Sequence, residues 1–159
     1  MWLAVHASAR IDRLVLCNTT PWLGPPEVMD ARIATIRREG IAALVEGIIQ
    51  RWFTDDASMR NAVAVERTRQ TLLKTPVGGY IGCCEALRDM DQRADLARIT
   101  SPTLVIAGTF DPAPTPEAAR AWGSTIPGAR FLELPAAHLS NIGAAGEFNQ
   151  QVLTFLLGE

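Results

Sequence analysis

Pro102-Thr103-Leu104-Val105-Ile106-Ala107-Gly108-Thr109-Phe110-Asp111-Pro112 is the stretch on which the fold turns. Thr103 to Ala107 is a short β-branched, apolar run without polar alternation, as a strand buried on both faces requires, and Gly108 ends it. Asp111 then projects from the loop at the strand's carboxyl end, where open α/β sheets put ligands. Downstream, Thr115-Pro116 opens a helix. Thr115 is an N-cap, Pro116 suits the first helical position, Glu117 favours the first turn, and Ile126-Pro127-Gly128 marks the stop. Arg130-Phe131-Leu132-Glu133-Leu134 reads as a further strand, alternating enough to lie near a sheet edge. His138 follows it in the same kind of loop, 27 residues after Asp111, a separation that accommodates one helical crossover between adjacent parallel strands.

Working toward the N-terminus, Arg13-Leu14-Val15-Leu16-Cys17 is another compact apolar run, closed by Asn18-Thr19-Thr20-Pro21, and reads as a buried strand ending in a loop. The first nine residues suit a short helix. From Glu27 to about Arg98 the pattern is helical, with Ile33, Ile36, Ile41, Leu44, Val45, Ile48 and Ile49 recurring at three and four. Gly40 divides the first two of these helices, and Pro76-Val77-Gly78-Gly79 separates a helix near 58–73 from one near 79–90. An amphipathic helix over 144–157 closes the chain. The expected organisation is α/β at both ends, 1–26 and 99–159, around a helical insertion, 27–98.

Composition narrows the function. The 159 residues carry 15 Lys plus Arg against 17 Asp plus Glu, a formal net charge of −2, with the signs interspersed. That argues against a nucleic-acid or anionic-membrane surface. No apolar run approaches the roughly 20 residues of a membrane helix, and Met1-Trp2-Leu3 leads into Ala4, Val5 and His6 without a basic leader. A cytoplasmic protein is expected. Cys17, Cys83 and Cys84 do not form a disulfide framework, and His6 and His138 lie far from them, so no metal site is expected.

The chemistry rests on Asp111 and His138. A loop Asp before Pro is, alone, more often a turn former, and a lone His after a strand more often a satisfied surface or core residue. Their placement after consecutive strands, Asp before His, is far more restrictive. A carboxylate so placed fixes the imidazole tautomer and stabilises the imidazolium formed when the histidine takes a proton.

Pro102-Thr103-Leu104-Val105-Ile106-Ala107-Gly108-Thr109-Phe110-Asp111, with Ala137-His138, resembles the C-terminal part of α/β-hydrolase-fold enzymes. Among them the chain is most similar to the 3-oxoadipate enol-lactonases. That narrower likeness rests on Arg13-Leu14-Val15-Leu16-Cys17-Asn18-Thr19, Arg51-Trp52-Phe53-Thr54, Thr75-Pro76 with Gly79-Tyr80, and His138-Leu139-Ser140-Asn141. Dehalogenases, haloperoxidases, esterases and carbon–carbon-bond hydrolases share the first set. The resemblance implies the last three parallel strands of the hydrolase fold with flanking helices, a helical lid over 27–98, and a Ser–Asp–His triad that opens a lactone without a cofactor.

One part of that pattern is missing: no G-x-S-x-G occurs, and Ser8, Ser58, Ser101, Ser124 and Ser140 lack its context. By the same likeness about two-fifths of a fold of about 250 residues would lie upstream of Met1. The chain alone is therefore expected to be inactive. A non-catalytic module that binds a small acid or a partner, and a separate chain that supplies the serine, are the competing readings. The resemblance also points to Arg51 beside Trp52 for a substrate carboxylate, with an exposed helix-face arginine as the plain alternative. Trp22, leaving the first strand, lines the pocket or simply packs. The expected partner is a small lactone or ester, and the strand 13–17, left as a bare edge, invites self-association.

Overall fold

The computed structural model describes residues 1–55 and 61–158, which divide into two compact units, Met1–Pro21 with Gln92–Glu159, and Trp22–Asp91. The first is built on a three-stranded parallel sheet, β1 (Leu14–Cys17), β2 (Thr103–Gly108) and β3 (Arg130–Leu134), in the order β1-β2-β3. Leu16 lies opposite Val105, and Val105 opposite Phe131. β2 is the middle strand and is buried along its whole length, which explains its unbroken apolar run.

Alternation along β2 feeds two cores. Val105 and Ala107 face one side, where Leu16 joins Ala4, Leu96, Ile99, Ala119 and Ile126. Apart from Leu16 of β1, those residues come from α1 (Trp2–His6), the 3-10 turn Arg93–Arg98 with Ile99 just after it, and α6 (Pro116–Gly123) with the turn after it. Leu104 and Ile106 face the other side with Leu134 and Phe155 of α8 (Ala145–Leu157). Each fully buried aliphatic side chain here contributes roughly 1.5–3 kcal/mol relative to exposure.

The crossover α6 begins as expected, with the Ala118 N–H donating to Thr115 Oγ1 at 3.3 Å and Pro116 at the first position. It ends at Gly123, short of Pro127, because the chain tightens into three-residue turns, Thr125 N–H to Trp122 O and Ile126 N–H to Gly123 O. Gly123 is where α6 presses on the sheet: a Cβ there would lie 3.3 Å from Val105 Cγ2.

The second unit is helical: α2 (Pro26–Glu39), α3 (Ala42–Trp52), α4 (Ala62–Lys74) and α5 (Val77–Asp89). α2 packs on α5 and α3, and α3 on α4. Met29, Ile33 and Cys84 centre one of its cores, with Leu23, Tyr80 and Ile81 around them. Gly40, at φ 79°, turns the chain between α2 and α3 as its position between two periodic stretches predicts. The start of the helix expected near 58–73 falls partly outside the described residues. α5 begins at Val77 rather than 79, since Pro76 takes the capping position and Gly78 and Gly79 are accommodated inside the helix. Among the described residues no helix is long and apolar enough to cross a membrane.

Candidate active site

β2 and β3 end side by side, and their loops are joined by backbone hydrogen bonds. Thr109 N–H donates to Leu134 O at 2.8 Å and Phe110 N–H to Ala136 O at 3.0 Å. Gly108 makes this approach possible, because a Cβ at that position would land on the carbonyl oxygens of Ala136 and Ala137. The glycine that the sequence offers as a strand terminator is therefore also the contact that sets the spacing of the two loops.

That spacing brings Asp111 and His138 together. His138 Nδ1 donates to Asp111 Oδ2 at 2.8 Å. The Asp111 side chain is 1% exposed and the His138 side chain 28%. The second carboxylate oxygen, Oδ1, accepts from the Ala113 N–H at 3.0 Å, a turn made by the Asp-Pro-Ala sequence itself. Burial works to raise the Asp111 pKa, but the hydrogen bonds from His138, Asn18 and Ala113, with the His138 charge, outweigh it and hold the carboxyl below its ordinary value. An anionic Asp111 fixes the tautomer with the proton on Nδ1, which leaves Nε2 as the basic nitrogen.

Asn18, expected only to close the first strand, joins this pair. It sits at the end of β1 with φ 46°, is buried, and its Nδ2 donates to Asp111 Oδ2 at 3.0 Å. An Asn closing a buried strand was the available signal, since Asn tolerates the left-handed region and a buried amide needs partners. Beside it, the Cys17 thiol is pushed up to about 11 by burial and by the Asp111 charge, so it stays protonated. The hydroxyls of Ser101, Ser124 and Ser140 each donate to a backbone carbonyl, of Ile11, Ala121 and Ala137 respectively. Ser58 lies outside the described residues.

Trp22, Arg51 and Trp52 all lie in the helical unit. Trp22 is its first residue, bridged to Asp91. Arg51 and Trp52 close α3, with Arg51 exposed and Trp52 half-buried. Partial burial, then the charge of Arg32, lowers the Arg51 pKa, while Tyr80 acts in the opposite sense. Arg32 Nη1 donates to Tyr80 Oη at 3.3 Å, so α2, α3 and α5 bring two guanidinium groups and a phenol into one neighbourhood.

No protein-family profile matches the chain. It is 32% identical over 151 residues, 95% of its length, to a 3-oxoadipate enol-lactonase of Acinetobacter baylyi. The enol-lactonase of Burkholderia xenovorans superposes with a TM-score of 0.94 at 41% identity over 98% of the chain. A thermophilic esterase of Thermogutta terrifontis does so with a TM-score of 0.90 at 28% identity over 98%. The chain spans 57% of the first of these proteins, 60% of the second and 59% of the third.

Proposed function

We propose that this chain, a relative of the 3-oxoadipate enol-lactonases carrying the C-terminal part of the α/β-hydrolase fold, supplies the aspartate and the histidine of the triad of a cytoplasmic lactone hydrolase. The observation that carries the reading is the 2.8 Å hydrogen bond from His138 to a buried Asp111 at the ends of adjacent parallel strands. In the complete reaction His138 takes the proton of a serine hydroxyl as that oxygen attacks the lactone carbonyl. It then returns the proton to the leaving enol oxygen, and water releases the acid by the same route. Asp111 stays ionised and stabilises the imidazolium.

The serine in this reading lies outside the 159 residues, since the sequence holds no G-x-S-x-G. The helical unit serves as the lid, excluding water and shaping the substrate pocket. Arg51, with Arg32 and Tyr80 beside it, meets the carboxylate of 3-oxoadipate enol-lactone, and Trp22 and Trp52 give apolar surface to its ring. Partial burial, and then the charge of Arg32, disfavour the Arg51 cation, and the attraction of an incoming anion offsets both, which supports this reading.

Ester hydrolysis tests the division of labour. Purified 1–159 is expected to cleave simple esters no faster than its His138→Ala variant, because a base without a nucleophile has nothing to activate. A clear rate above that control, abolished by substituting Ser8, Ser58, Ser101, Ser124 or Ser140, would overturn the assignment.

A further inference from the structure

We infer that Asn18 is a positioning residue for the Asp111–His138 pair, its one amide group tying both members to the end of β1. Nδ2 donates to Asp111 Oδ2 at 3.0 Å and to Ala137 O, the residue before His138, at 3.3 Å. These contacts join positions 93 and 119 residues apart in sequence. Asp111 Oδ2 thus accepts from Asn18 and His138 together while Oδ1 accepts from the Ala113 N–H, so the carboxylate plane is fixed from both ends. The carbonyl that Asn18 also holds sets where the His138 backbone begins.

The chemistry at this position selects asparagine. The amide orientation is dictated by its neighbours: Nδ2 faces a carboxylate and a carbonyl, and Oδ1 accepts from the Cys17 thiol at 2.9 Å. Reversing the amide would set oxygen against two acceptors. The backbone at φ 46° turns the side chain back across the strand ends, in a region that Asn enters more readily than most residues. An Asp would place a second carboxylate against Asp111, and an Ala would lose both donors while keeping the backbone cost.

The inference rests on the reading of Asp111 and His138 as a catalytic pair, but its test reads the protonation of His138 rather than turnover, so the two can fail separately. The pH profile of C2-hydrogen exchange at histidine, followed by peptide mass spectrometry, resolves the chain's two histidines. Asn18→Gly keeps the backbone conformation and removes the amide. It is expected to shift the midpoint of the His138 profile by about half a unit or more, to leave His6 unmoved, and to have a clearly smaller effect in an Asp111→Asn background, where only the contact to Ala137 O remains. Asn18→Asp keeps the shape and is expected to raise the His138 midpoint, since a second carboxylate favours the imidazolium. An unchanged His138 profile in either variant, or an equal shift with and without Asp111, overturns the inference.

Discussion

Asp111 is worth more to this fold as an anion than as an acid, and the sign of that preference is testable. Its carboxyl is held below the ordinary 3.8, so the ionised form binds its donors in the folded chain. A depressed folded-state pKa stabilises above the unfolded value and loses that contribution as pH falls through the folded one. The difference in urea midpoint between the parent and Asp111→Asn is therefore expected to be widest above about pH 5 and to close toward more acid conditions. A gap that widens on acidification would contradict the hydrogen-bond account. At this scale the meeting of Asp111 and His138 was legible, because each follows the end of its own strand and the two strands are neighbours. The sequence was not legible where a role depends on a partner 93 residues away, as for Asn18. Nor did Tyr80 and Arg32 announce themselves, because their meeting depends on how α2 packs on α5.

At the scale of elements, the apolar runs and caps read correctly because each reports a local requirement. β2 is uniformly apolar because it is buried on both faces, and Thr115-Pro116 begins α6 because cap and first turn are set within four residues. Ends set by tertiary contact were less visible. α6 stops against β2, and the short α7 (Ser140–Gly143) after His138 has no periodic signal of its own. Two glycine substitutions separate local from tertiary control. Gly47 lies exposed in α3 with open space around its missing Cβ, so Gly47→Ala is expected to stabilise by about 0.5–1 kcal/mol. Gly108→Ala forces the loops of β2 and β3 apart and is expected to cost about 1–3 kcal/mol. Thermal midpoints moving in opposite directions would bear this out, and a neutral Gly108→Ala would show that Ala136 and Ala137 move aside freely.

At the scale of the whole molecule, β1 pairs with β2 on one side only among the described residues, and its alternate positions Val15 and Cys17 turn their backbone groups the other way. Leu153, Leu156 and Leu157 of α8 and Trp2 and Leu3 of α1 add exposed apolar surface. We therefore expect 1–159 in isolation to self-associate while keeping its fold. Light scattering measures this, and a monodisperse monomer across the micromolar range would contradict it.

A chimera tests most directly the proposed service of Asp111 and His138 to a serine outside these residues. The chain would be joined behind the part of the Burkholderia xenovorans enol-lactonase that it does not span, and turnover of 3-oxoadipate enol-lactone measured. The account predicts activity that His138→Ala abolishes, that Asp111→Asn lowers by about 10⁴ in kcat, and that Arg51→Ala weakens through KM. A folded chimera whose hydrolysis is indifferent to His138 and Asp111, or that has none, would contradict it.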